Sequence, residues 1–158
     1  MDPHNGYAII DPMTKYLYLT GYESESIDQF VEKLEKYKVE HLIDIREIPL
    51  SRKRGFSKKA LSSNLDCHGI EYTHIRSLGS PSGMRRALHH GDIDYADFFK
   101  SYRDHLHHHG EAMNSLVATM TDRVVALMCY EVQSELCHRS IVADELTKTH
   151  PKVKIASI

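Results

Sequence analysis

Two hydrophobic periods alternate along this chain. Tyr16-Leu17-Tyr18-Leu19-Thr20 before Gly21 reads as a strand with a turn at its end. Tyr7-Ala8-Ile9-Ile10 precedes it across Asp11-Pro12-Met13-Thr14-Lys15. A Pro-containing gap of that size suits a hairpin, so residues 7–10 are expected as an antiparallel edge strand. Ser26 with Gln29 forms a capping-box pattern, and Ile27, Phe30, Val31 and Leu34 lay one apolar stripe on a helix to about Lys38. His41 to Arg46 then reads as a short strand, which Pro49 keeps from running straight into a helix. Ser57 opens a second helix carrying Leu61 and Leu65, with Gly69 beyond its end, and Ile70 to Ile75 alternates like a strand.

The segment from Leu78 to Gly110 is helical in pattern but too long for a simple crossover. Asp94 caps a stripe of Tyr95, Phe98, Phe99, Tyr102 and Leu106, which reads as core packing. A further helix is expected over Glu111–Met120. Val124 to Cys129 is a continuous apolar run, as in a strand buried on both faces. Ser134 is expected to cap a last helix bearing Ile141, Val142 and Leu146, and Lys152 to Ile155 closes the chain as a strand. This alternation predicts one α/β domain over residues 1–158. Its expected form is a three-layer sandwich with a mostly parallel sheet of about five strands.

Ligands of such sheets bind beyond the carboxyl ends of the strands. Those ends carry Gly21-Tyr22, Asp44-Ile45-Arg46, His74-Ile75-Arg76 and Cys129-Tyr130-Glu131, and the last helix opens near Cys137-His138-Arg139. Backbone N–H groups at a helix start beside arginines suit an anion. Arg46, Arg52, Arg54 and Arg139 are expected to converge on this edge, and four guanidiniums suit a phosphate better than an ion-pair cluster. Arg52-Lys53-Arg54-Gly55-Phe56-Ser57-Lys58-Lys59 adds a basic loop in which Phe56 is available to stack on a base. A solvated loop explains the same run.

Charge and cysteine usage narrow the classes. Lys and Arg number 20 against 22 Asp and Glu, a net charge of −2, so any nucleic-acid contact must come from a local patch. No apolar run approaches a membrane span, and the N-terminus has neither the basic start nor the apolar core of a secretory signal. Three cysteines with no disulfide framework predict a reducing, cytoplasmic setting. His107-His108-His109 reads as a helix end, where protonated imidazoles favour the dipole, ahead of adventitious metal binding.

Taken in order, Gly21-Tyr22-Glu23-Ser24, Asp44-Ile45-Arg46, Pro49, Ser51-Arg52, Phe56-Ser57-Lys58, Gly69-Ile70-Glu71-Tyr72-Thr73-His74, Leu78-Gly79, Cys129-Tyr130-Glu131 and Cys137-His138-Arg139 resemble the family catalogued as domain of unknown function 488. The resemblance covers about residues 15–155. Tyr22 stands where that family usually has His, and Ser80 where it usually has a second Gly. The family label carries no reaction.

Cys129, Glu131, Cys137, His138 and Arg139 form the sharpest constellation. Two thiolates and an imidazole are zinc-type ligands, but adjacent Cys137 and His138 make one shared ion geometrically awkward, so no cofactor or metal is expected. Cys137 near a helix start with His138 also suits a thiolate nucleophile. The bland reading is two buried cysteines and a histidine bonded to a carbonyl. The function expected from the residues is an enzyme or processing factor for a phosphate-bearing ligand, a nucleotide or nucleic acid. In that reading Arg46, Arg52, Arg54, Lys58 and Arg139 hold phosphate, with Phe56 and Tyr22 beside them. Glu131 or Asp44 does acid–base work, and Cys137 or His138 assists. The alternatives are a non-catalytic nucleic-acid-binding module and a small-molecule or metal sensor.

Overall fold

The computed structural model describes residues 15–158, so the edge strand expected over residues 7–10 lies outside the described residues. Five strands, β1 (Tyr16–Gly21), β2 (His41–Asp44), β3 (Glu71–His74), β4 (Val125–Cys129) and β5 (Lys154–Ser157), form one sheet in the order β3-β2-β4-β1-β5. Every strand pair in it is parallel, with Leu19 beside Leu127 and Ile43 beside the same residue on the other flank. Central β4 is buried along its whole length, as its unbroken apolar run requires.

Helices α1 (Ile27–Lys36) and α2 (Lys58–Asp66) follow β1 and β2. Helices α3 (Ser82–His90), α4 (Tyr95–His107) and α5 (Gly110–Thr119) join β3 to β4, and α6 (Arg139–Thr149) joins β4 to β5. The first two connections run one way across the sheet and the last two run back. Right-handed crossovers in opposite directions must cover opposite faces. The cores divide accordingly. Phe30, Leu34, Leu61 and Leu65 pack with Leu42, Ala126 and Met128 on one face. Tyr102, Leu106, Leu116, Val142 and Leu146 pack with Leu17, Leu19, Ile43 and Leu127 on the other. This is the three-layer α/β sandwich the pattern predicts.

Local capping explains most boundaries. Ser26 and Gln29 close the capping box at α1, and Asp94 accepts from the Asp97 amide at α4. Ser57 precedes α2 but makes no capping bond; its Oγ bonds Ser51 instead. The last helix departs from expectation. Ser134 opens only a 3₁₀ turn, Ser134–Leu136, and its hydroxyl pairs with Ser157 on β5, while α6 begins five residues later at Arg139. That turn swings the chain back over the end of β4 before the helix starts. Among the described residues, no helix is long and apolar enough to cross a membrane.

Candidate functional site

The reversal of connection direction places the site. Both neighbours of β4 send their chains to the face carrying α1 and α2, while β4 sends its own to the opposite face. A crevice opens where neighbouring strands part in this way, beyond their carboxyl ends. Backbone bonds hold its walls together: the Tyr22 and Glu23 amides both donate to the Tyr130 carbonyl, at 3.1 and 3.0 Å, and the Ile45 amide donates to the Met128 carbonyl at 3.1 Å. A side chain at Gly21 would collide with the Glu131 carbonyl oxygen, so only glycine allows β1 and β4 to close here.

The crevice has two lobes of about 430 and 360 Å³, and Ser80, Arg85, Glu131 and His138 line both. Two wider-mouthed hollows of about 610 and 640 Å³ lie beside β3, away from the cysteine cluster. Six large apolar side chains are exposed among the described residues: Ile48, Leu50, Tyr95, Tyr130, Val132 and Leu136. All six line one lobe or the other.

At the floor lie Cys129, Cys137 and His138. The His138 Nδ1 is 3.6 Å from the Cys137 sulfur and 3.9 Å from the Cys129 sulfur, and its Nε2 meets the Ile45 carbonyl at 3.1 Å. The Cys129 thiol donates to Glu131 Oε2 at 3.2 Å. Adjacent Cys137 and His138 do converge on one point, contrary to the expectation that this was awkward. Cys137 is extended (φ −120°, ψ 144°) and His138 is helical (φ −57°, ψ −20°), and this change of backbone at the entry to α6 turns both side chains inward. The Tyr102 ring meets His138 edge-on at 5.1 Å, and its hydroxyl donates to the Leu78 carbonyl.

Electrostatics differentiate these groups. Burial pushes the Cys137 thiol up, but its interaction with the neighbouring Cys129 sulfur and the charge of His138 outweigh it and hold Cys137 well below the usual thiol range. His138 is raised in turn, the thiolate overcoming its burial. Cys129 is pushed up by its interaction with Cys137 and by burial, and Glu131 is raised by burial and by the Cys137 charge. The two sulfurs are thus shifted in opposite directions, Cys137 towards the thiolate and Cys129 towards the thiol.

The end of β2 is organised differently. Asp44 accepts from the Arg46 amide at 3.0 Å, from its Nε at 2.9 Å, from its Nη2 at 2.6 Å and from the Tyr72 hydroxyl at 2.6 Å. Arg46 also donates from Nη1 to the Tyr22 hydroxyl and the Phe56 carbonyl. Burial would lower the Arg46 pKa, but the bond to Asp44 and its charge raise it; burial and Asp44 raise Tyr72. Tyr22 thus accepts from Arg46 through its hydroxyl at the corner after β1. The two Asp44 oxygens accept four hydrogen bonds and have no position left for a ligand's acid–base step, and four of the five side-chain N–H groups of Arg46 are taken up in the same network.

The four arginines do not converge as a phosphate grip. Arg46 is closed in its own network. Arg139 is completely buried and donates from Nη2 to the Val132 carbonyl, while its Nε and Nη1 have no partner among the described residues. Arg52 is exposed on the crevice wall, Arg54 is exposed on the loop, and Lys58 and Lys59 are exposed in the first turn of α2. Phe56 is not available to a base: it is fully buried, stacked on Tyr22 with ring centroids 4.2 Å apart and edge-on to Phe30 at 5.4 Å. Gly55 makes that insertion possible with φ +90°, a conformation other residues rarely adopt. Lys53 is tied to the Tyr22 and Glu23 carbonyls.

Ser80 and Arg85 also face the crevice, although the sequence offers Arg85 only with Arg86 as an extension of the basic surface. Arg85 donates to Ser80 and to Glu47, which turns it across the crevice mouth. Both lie between β3 and α4, where no strand-end rule or local motif marks them. The apolar rim was equally silent, because single exposed Ile, Leu and Tyr residues are common and only their grouping carries information.

The model of the family described as Domain of unknown function DUF488 matches residues 26–146. No curated protein and no solved structure matches the chain.

Proposed function

We propose, for a chain that belongs to the Domain of unknown function DUF488 family, an enzyme acting in the crevice over β4 on a small phosphate-bearing ligand with an apolar body. A nucleotide is the class that carries both parts. The observation behind this reading is the make-up of the crevice. Glu131 and His138 stand where its two lobes meet, with exposed apolar side chains and the guanidiniums of Arg52 and Arg85 on the walls. Asp44 is occupied by Arg46 and Tyr72, so Glu131 is the strand-end carboxylate that faces a ligand. In this reading Arg52, free of ion pairs among the described residues, and Arg85 take the phosphate, Tyr130 and Leu136 take the apolar body, and Glu131 moves the proton.

Calorimetric titration with adenosine monophosphate and with inorganic phosphate tests this. Binding of the nucleotide is expected to exceed that of phosphate. Arg52→Ala should weaken it about 10-fold or more, the loss of one charge-assisted contact. Glu131→Gln should keep binding and lose turnover. A chain that binds neither probe, or binds both equally well in Arg52→Ala, refutes the reading.

The exposed Arg52, Arg54, Lys58 and Lys59 favour a second reading, a single-stranded nucleic acid laid along the loop and the first turn of α2. Four such contacts would give a slope of log K against log salt of about −3. A labelled oligonucleotide that does not bind at low salt excludes it.

A further inference from the structure

We infer that Cys129, Cys137 and His138 form a binding site for a divalent zinc-type cation, with its fourth position facing the crevice beside Glu131. The ligand atoms of these three buried residues all lie within 4.8 Å of one another. A tetrahedral ion with Zn–S of about 2.3 Å and Zn–N of about 2.0–2.1 Å has N···S edges of about 3.6 Å. The His138 Nδ1 lies 3.6 and 3.9 Å from the two sulfurs, so the ligands already span two edges of such a tetrahedron.

The ring orientation points the same way. His138 Nε2 is directed at the Ile45 carbonyl, 3.1 Å away. Donation to that carbonyl places the proton on Nε2 and leaves the Nδ1 lone pair directed between the sulfurs, the arrangement in which backbone carbonyls orient metal-binding imidazoles. Tyr102 packs edge-on against the ring and keeps it from turning. The set of two sulfurs and one imidazole suits Zn²⁺ and Co²⁺ better than Mg²⁺ or Ca²⁺, which prefer oxygen. Three protein ligands with an open fourth position are the pattern of a catalytic zinc site, and Glu131 Oε2 lies next to the cluster, 3.2 Å from the Cys129 sulfur.

Charge balances as well. Two thiolates and the Glu131 carboxylate match a divalent cation plus the Arg139 guanidinium, which is buried without a carboxylate of its own among the described residues.

The test uses the full chain under a non-thiol reductant, stripped with a chelator and titrated with Co²⁺. One ion per chain is expected, with thiolate-to-cobalt charge-transfer absorption and the intense visible bands of a tetrahedral ion. Zn²⁺ should displace it and bleach both. Cys137→Ser should lower the affinity by about 100-fold or more, at the top of the range that even outer partners cost. Cys67→Ser, at an exposed cysteine, should change nothing. The exposed His107 and His108 can bind Co²⁺ through imidazole but give no thiolate band, so the wild-type spectrum is decisive even where a variant fails to fold. A titration without the charge-transfer band, or one in which the band survives Cys137→Ser, overturns the inference. Metal binding is read without any organic ligand, so its failure leaves the nucleotide reading standing, and failure of nucleotide binding leaves the metal site standing.

Discussion

The carboxyl ends of β2 and β4 are neighbours in the sheet, and each carries a buried polar cluster. At β2, Asp44, Arg46, Tyr72, Tyr22 and the Phe56 carbonyl satisfy one another. At β4, the two cysteines, Glu131, His138 and Arg139 are held at longer range, two guanidinium nitrogens have no partner among the described residues, and the cluster borders open space. As strings of residues, both ends offer an acidic group and an arginine for chemistry. The difference is whether hydrogen-bonding capacity is used up inside the fold. A saturated buried ion pair orders a loop; an unsaturated one beside a crevice is available to a ligand.

Substitutions can break or sharpen this contrast. Arg46→Met strands the Asp44 carboxylate in the core and should cost about 3–5 kcal/mol in urea unfolding. A loss under about 1 kcal/mol would mean that water reaches Asp44 and the β2 cluster is not closed. Phe56→Ala empties the space against Tyr22 and Phe30 and should likewise cost about 3–5 kcal/mol. If it weakens oligonucleotide binding while leaving stability intact, Phe56 is a stacking platform after all. Gly21→Ala forces β1 away from the Glu131 backbone, an overpacking cost of about 3 kcal/mol. An unchanged unfolding midpoint would show that the two strand ends are not locked together.

Glu131→Gln reads the open cluster. The amide oxygen still accepts the Cys129 thiol, so stability should change by less than about 1 kcal/mol while turnover is lost. A large stability loss would make β4 as structural as β2. The smallest effect is expected outside both clusters. Burial alone would raise Glu145, but hydrogen bonds from Lys148, His107 and Arg103 lower its pKa. A carboxylate lowered on folding stabilises above its unfolded pKa of about 4.3, and the contribution disappears as pH falls through the folded value. Glu145→Gln should therefore flatten the acid side of the stability profile by about a few tenths of a kcal/mol. An unchanged acid limb would show that this exposed network contributes nothing.

Much of the architecture could be read locally. The capping box at Ser26, the cap at Asp94, the apolar stripe through Phe98 and Tyr102 and the continuous run of β4 each depend on residues within a few positions, and hydrophobic burial acts on that spacing whatever the rest of the chain does. Ser134 misled because its hydroxyl had a second partner, Ser157, that lies next to it only once β5 has joined the sheet.

The sequence by itself determined the α/β alternation, the family and the list of reactive side chains at the strand ends. Tertiary structure decided the order β3-β2-β4-β1-β5, which makes β4 the switch point, and it decided which charges close on each other. Asp44 bonds Tyr72, Arg46 bonds Tyr22, and Cys129 approaches His138 across gaps of many residues. The strength of such pairs depends on distances of a few ångströms and on exclusion of water. Both are set by crossovers packing on opposite faces of the sheet, and no local spacing of residues encodes them.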